Sequence, residues 1–315
     1  MIKLDLITGF LGAGKTTFIK KYGQYLIEQG ERICIIENDF GAINVDMMLL
    51  KELEGPCCNL EMVVGGDGEE AHKRRLKTKL ISMAMLGFSR VIIEPSGIYD
   101  VDEFFDLLNE EPLDNWYEIG NVISIFNVGF KQELSLQSRY LMMSEAAHSG
   151  IIILSHLDMG KIDEKENALR ILNDVMKEFS CNRVLTSNDI LNKDWDELDE
   201  IEKNNIVKCG FNKCDFVKMS VVDGGGYQTL FYFDFKMDKE KLIELTKHVF
   251  EDGECGIIHR IKGIIQSETG DFYELNTTRD EISTSQVSSY RPVLIVIGEG
   301  LRKDKLSEYF GKPSV

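Results

Sequence analysis

The sequence contains no apolar run approaching the roughly 20 residues needed to cross a bilayer, so no helical span is expected within it. It also has no basic stripe. The net charge is −17, which argues against a general nucleic-acid binder, since such proteins present a cationic face. The densest basic patch, His72-Lys73-Arg74-Arg75, reads as a solvated helix face. There is no C-x-x-C pair. The seven cysteines (Cys34, Cys57, Cys58, Cys181, Cys209, Cys214 and Cys255) are odd in number and scattered, so free thiols are expected in place of a disulfide framework or a structural zinc site. Low-complexity tracts and internal repeats are absent. Met1 to Gly9 carries one basic residue, soon meets Asp5 and runs into a glycine turn. That is not the pattern of a secretion leader, and a cytoplasmic protein is expected.

What is present is an alternation of strands and helices. Ile2 to Thr8 reads as a strand, Lys15 to Gln29 as a helix closed by Gly30, and Ile33 to Ile36 as a strand buried on both faces. A helix over Ala71 to Leu86, a strand over Val91 to Ile93 and a helix over Val101 to Asn109 follow. Two further buried strands lie at Val122 to Phe126 and Ile151 to Leu154. This order predicts an α/β fold, a mostly parallel sheet flanked by helices on both faces. A polar, acidic stretch from Asn188 to Asn205 marks the expected edge of a first domain, residues 1–205. Residues 206–315 read as a small C-terminal α+β domain with antiparallel strands. These are expected at Asp215 to Val221, Leu230 to Phe235, Gly256 to Ile265, Phe272 to Leu275 and Val293 to Gly298, with helices at Lys239 to Phe250 and Leu301 to Phe310.

The strongest motif is Gly9-Phe10-Leu11-Gly12-Ala13-Gly14-Lys15-Thr16, a complete G-x-x-x-x-G-K-[ST] phosphate loop. It lies between a strand and a helix, which is the setting the motif requires. Its backbone N–H groups, from Gly12 to Thr17, are expected to surround phosphate at a positive helix end. Lys15 is expected to reach the β- and γ-phosphates, and the Thr16 hydroxyl a Mg²⁺ ion. Glu94, ending a buried strand before Pro95-Ser96-Gly97, is expected to hold the Mg²⁺ shell through water, and Gly97 to offer an N–H to the γ-phosphate. Asp39 and Glu94 are candidates to orient the attacking water. Ser155-His156-Leu157-Asp158 ends another strand where GTPases carry Asn-Lys-x-Asp. Asp158 can accept both N–H groups of a guanine edge, whereas adenine presents the wrong pattern.

Together these residues resemble the CobW-type P-loop GTPases, relatives of the nickel-insertion GTPases of urease and hydrogenase. The resemblance rests on Gly9 through Thr17 and on Glu37-Asn38-Asp39-Phe40-Gly41 with Asp46. It extends to Glu94-Pro95-Ser96-Gly97 and to His259-Arg260-Ile261-Lys262-Gly263 in the second domain. It implies a slow GTPase, using GTP/GDP and Mg²⁺, in metal delivery or in metallocofactor or cobalamin-related assembly. The implied client is a metalloenzyme or cobalamin-pathway protein, and a homodimer stays open. A nucleotide-dependent scaffold or reactivator is the alternative, and a P-loop small-molecule kinase a weaker one.

The family's Cys-x-Cys-Cys metal motif is missing. Acids stand in its place, within Val64-Gly65-Gly66-Asp67-Gly68-Glu69-Glu70. Asp67, Glu69, Glu70 and His72 are candidate ligands for a harder cation, and the other reading is an acidic helix start favoured by the helix dipole. Cys57, Cys58 and Glu37 are the remaining thiolate combination.

Overall fold

The computed structural model describes residues 1–39, 47–64, 69–97, 99–128, 134–157, 164–219, 227–279, 281–287 and 291–314. The chain divides into two compact units, Met1–Met219 and the residues beyond it.

The first unit is built on seven strands: β1 (Ile2–Thr8), β2 (Ile33–Asp39), β3 (Cys58–Val64), β4 (Arg90–Pro95), β5 (Tyr117–Asn127), β6 (Ile151–Ser155) and β7 (Ile190–Leu191). Their order across the sheet is β3-β2-β4-β1-β5-β6-β7, and every pairing is parallel. Alternate residues of each strand feed two separate cores. Leu4, Leu6, Ile36, Val91 and Ile93 pack with Leu76, Leu80 and Met83 of the helix Glu69–Met85 and with Phe104 and Leu107 of the helix Val101–Leu108. Ile7, Ile33, Ile35, Ile92 and Ile125 pack on the opposite face against Phe18, Ile19, Tyr22 and Leu26 of the helix Lys15–Glu28. Burial on both faces is what makes these strands nearly continuous apolar runs. The sequence-based expectation missed β3 and the two-residue β7. Cys58 to Met62 does alternate apolar and polar residues, the period-two signal of a strand, and the segment pairs with β2 at the sheet edge.

Between the middle of β1 and the amino end of β4 sits a buried ionic cluster. Arg90 Nη1 donates to Asp5 Oδ2 at 2.6 Å, Tyr22 OH donates to the same oxygen at 2.7 Å, and Asn121 N–H donates to Asp5 Oδ1 at 2.9 Å. Burial raises the Asp5 carboxyl, and the Arg90 charge opposes that rise. Asn121 also accepts from the Gly210 amide at 2.9 Å and donates to Val207 O at 2.9 Å.

These last contacts explain why the first unit extends past the expected boundary at 205/206. Ile206 is in the core, Val122 N–H donates to Gly210 O at 2.9 Å, and Val217 N–H donates to Phe179 O at 2.9 Å. Residues 206–219 therefore belong to the first unit. The strand expected from Asp215 is not formed over 215–219, where the chain has no ladder partners.

The second unit is a five-stranded antiparallel sheet. Its strands are β8 (Tyr227–Phe233), β9 (Ile257–Gln266), β10 (Phe272–Thr277), β11 (Ile282–Val287) and β12 (Val293–Glu299), in the order β11-β10-β9-β12-β8. The helices Lys239–Glu251 and Lys303–Phe310 supply Leu242, Val249, Leu306 and Phe310 to a core with Leu230, Tyr232, Ile261, Ile265 and Leu294. The polar edge strand β11, Ile-Ser-Thr-Ser-Gln-Val, was not foreseen, because an exposed edge strand lacks the apolar alternation that marks a half-buried one.

Candidate nucleotide-binding site

The carboxyl ends of β1, β2, β4 and β6 converge on one side of the sheet, where open parallel sheets bind ligands. The phosphate loop follows β1 directly. Gly9, Gly12 and Gly14 all adopt positive φ, at 143°, 76° and 90°. Gly9 is the tightest: a Cβ there would stand 2.2 Å from the carbonyl oxygen of Ile125 in β5. The loop is thus pressed against the neighbouring strand, and only a glycine permits it. The helix Lys15–Glu28 begins at the loop's end, with no side-chain cap, so its first N–H groups point into the cradle.

Lys15 is nearly buried, at 6% exposure, and its ammonium donates to Gly9 O at 2.7 Å. The Thr16 hydroxyl donates to Glu94 Oε1 at 2.8 Å, and both side chains are buried. Glu94 and Glu37 are register partners at the carboxyl ends of β4 and β2. A hydroxyl and a carboxylate side by side at a helix amino end match the oxygen donors a hard divalent cation takes, so these residues fit Mg²⁺. Gly97 lies over the loop: a Cβ on it would come within 2.7 Å of Leu11 N and 2.8 Å of Leu11 Cδ2. Gly97→Ala is accordingly expected to cost about 1–3 kcal/mol through overpacking, read as a lower urea midpoint together with weaker nucleotide binding. An unchanged midpoint and affinity would show that the loop yields freely.

Ser155 and His156 close the other side. The Ser155 hydroxyl donates to Phe126 O at 3.2 Å and lies 3.0 Å from His156 Nδ1. His156 holds φ at 56°, the left-handed region, and its Cε1 would be 3.9 Å from a Cβ on Gly14. These two residues therefore stand beside the phosphate loop. Asp158 and Asp67 lie outside the described residues, as do the side chains of Asp39 and Glu69.

Of the candidate metal ligands in the acidic segment, Glu70 and His72 are among the described side chains, and these two are not brought together. Glu70 is exposed while His72, two positions on, is buried, because residues two apart on a helix face different ways. The thiolate combination is also separated. Cys57 is exposed and Cys58 buried, with the Cys58 thiol pushed up to about 11 by burial. Cys58 pairs with Ile33 and Glu37 pairs with Met62, so the cysteine and the glutamate stand four strand residues apart, about 13 Å along the sheet. Among the described residues no group of three or more His, Cys, Asp or Glu is placed to hold a metal ion. Nor is any helix among them long and apolar enough to cross a membrane.

One member of this neighbourhood was not foreseen from the sequence. Glu145, on the helix Leu136–His148, accepts a hydrogen bond from the Thr8 hydroxyl at 3.2 Å, directly behind the loop. No local motif surrounds it, and only the packing of its helix over β1 and β5 brings it there.

Residues 4–183, more than half of the chain, match the family model described as the CobW/HypB/UreG nucleotide-binding domain. The chain is 27% identical over 175 residues to the zinc chaperone YjiA of Escherichia coli (strain K12), which is 52% of this chain and 52% of that protein. It is 28% identical over 181 residues to the zinc chaperone YeiR of the same organism, covering 54% and 51% respectively. It thus spans about half the length of the curated relatives it matches. Among solved structures it is similar to Zn(II)-bound YjiA GTPase from E. coli, at 16% identity over 98% of each chain and a TM-score of 0.40. With a phosphate loop set between β1 and its helix, and a match that runs from β1 past β6, this chain belongs to the CobW/HypB/UreG family of nucleotide-binding domains.

Proposed function

We propose that the chain binds GTP with Mg²⁺ at the loop of residues 9–16, hydrolyses it slowly, and couples that cycle to delivery of a metal ion to a client metalloprotein. The observation that carries the reading is the buried Thr16–Glu94 pair, 2.8 Å apart at the end of a complete phosphate loop. Gly12, Ala13, Gly14, Lys15, Thr16 and Thr17 surround the phosphates with backbone N–H groups. Lys15 leaves Gly9 O for the β- and γ-phosphates. Thr16 and Glu94 would be the residues that hold Mg²⁺, the hydroxyl directly and the carboxylate through water. The bound ion would neutralise charge developing on the phosphates. Gly97 donates its N–H to the γ-phosphate, so the segment 94–97 orders with the triphosphate and relaxes after hydrolysis. Asp39 and Glu94 orient the attacking water. Metal delivery is supported by family membership and by the relatives named as zinc chaperones.

The test is a nucleotide-affinity panel and phosphate release with Mg²⁺, beside metal analysis with and without GTP. A folded chain that binds no nucleotide would overturn the reading. Binding without phosphate release would reduce it to a nucleotide-switched scaffold.

Guanine is expected over adenine. Asp158, standing where GTPases carry the Asp of Asn-Lys-x-Asp, would accept from the guanine edge, and a mispaired adenine would leave that carboxylate unsatisfied. GTP should displace labelled GTP at a concentration at least about tenfold lower than ATP does. Equal displacement would mean that Ser155 and His156, in place of Asn and Lys, have removed base selection.

A further inference from the structure

Glu145 lies within the helix Leu136–His148 and is 0% exposed. Its Oε1 accepts from Thr8 Oγ1 at 3.2 Å, and its backbone carbonyl accepts from Ser124 Oγ in β5 at 2.7 Å. The Gly9 amide faces the same carboxyl and favours its ionised form. Oε2 has no hydrogen-bond partner among the described residues. A carboxylate so placed is poorly compensated, and burial disfavours the charged form.

Two charged side chains face it. Lys15, from the loop helix, favours ionisation; Asp100, from the turn before Val101–Leu108, opposes it. Asp100 is itself tied to this helix, accepting from Ser144 at 2.8 Å and from Tyr140 at 3.1 Å. Asp102 stands at the helix end, 3.1 Å from His148 Nε2 and 2.7 Å from Lys218 Nζ. Burial outweighs Lys15 and the hydrogen bonds, and pushes the Glu145 carboxyl up to about 8.

Gly9, whose carbonyl holds the Lys15 ammonium at 2.7 Å, follows directly on Thr8, whose hydroxyl bonds Glu145, so a carboxylate behind the loop would compete for that ammonium's charge with a triphosphate in front of it. We infer that Glu145 is a positioning residue beneath the phosphate loop, which must carry a proton for the triphosphate to be held, because only the neutral carboxyl leaves Lys15 to the phosphates. This rests on the reading of the loop as a nucleotide site. The proton comes from solvent and no covalent bond changes.

The sign follows from linkage. Below about pH 8 the carboxyl of the nucleotide-free chain is already protonated, so affinity is flat. Above it the free chain loses the proton. Nucleotide draws Lys15 away and adds negative charge, which raises the carboxyl further, so binding takes a proton up. Affinity then falls with rising pH by up to about tenfold per unit.

The experiment is calorimetric titration of the full chain with Mg-GTP at about pH 7 and about pH 9, in buffers of different ionisation enthalpy. The parent should lose affinity and take up close to one proton at the higher pH. Glu145→Gln should hold its affinity across both and show no uptake from this site. Ionisation of the guanine ring affects both proteins equally. Should Glu145→Gln not fold, Glu145→Met serves, and the buffer dependence of the parent stands without any variant. An equal decline in parent and variant, or no proton uptake by the parent, would overturn the inference while leaving nucleotide binding intact. No binding of GTP at either pH would overturn the nucleotide reading, and the inference with it.

Discussion

Lys15→Ala is expected to weaken Mg-GTP binding by about 10²- to 10⁴-fold while leaving the chain folded. The ammonium is the only side-chain cation of the phosphate loop, and it is already delivered there, resting on Gly9 O at 2.7 Å. Reaching the β- and γ-phosphates requires only that the side chain extend along the helix end. Hydrogen bonds from a charged donor contribute about 1.5–3 kcal/mol each, so losing two of them gives the stated factor. The fold should tolerate the change, because the removed bonds run only to the loop carbonyls of Gly9 and Phe10 and the neighbouring Glu145 can hold its proton. Isothermal titration gives the affinity and a thermal melt the fold. A well-folded variant with parent-like affinity would remove the loop from the site.

Arg90→Ala is expected to lower stability by about 3–5 kcal/mol, the largest effect foreseen for a residue remote from the nucleotide site. Its guanidinium is 1% exposed, bonded to Asp5 at 2.6 Å and to Glu31 at 3.2 Å. Truncation leaves Asp5, which is not exposed at all, without its counter-ion and opens a large cavity beside Tyr22. The loss comes from stranding a charge, since a buried ion pair replaced as a unit by apolar groups is often neutral. Urea unfolding of Arg90→Ala beside the double variant Asp5→Asn, Arg90→Met separates the two costs. The double variant should recover part of the stability. A single-variant loss below about 1 kcal/mol would show that water enters and screens Asp5.

Some of this was legible in the sequence for clear reasons. The span from Ile2 to Thr16 is a local object: a strand, a turn demanding positive φ and a helix start all lie within it, and its motif carries its own geometry. Glu94 was legible as well, since a buried strand ending in an acid places that acid at the sheet's carboxyl edge. Ser155 and His156 followed from the same rule applied to β6.

Other parts were illegible for equally physical reasons. The edge strand β11 is made a strand by a neighbour on one side, and its Ile-Ser-Thr-Ser-Gln-Val lacks an apolar period of its own. Residues 206–219 read as the start of a new domain because their polarity changes there, but the side chain of Asn121 and the carbonyls of His148 and Phe179 hold them to the first unit. The pairing of Asp5 with Arg90 spans 85 positions, and no local pattern announces it.

The sequence by itself determined the parallel α/β class, the phosphate loop with its lysine and threonine, and the family resemblance. Each is written in short-range spacing, and short-range spacing is what backbone geometry and apolar periodicity constrain. Only the tertiary structure decided that Cys57 is exposed while Cys58 is buried, that Glu70 and His72 do not share a helix face, and that Glu145 sits under the loop. Those facts depend on which side of an element is covered and by what. A buried carboxyl 137 positions from the threonine it bonds acquires its chemistry from that packing alone.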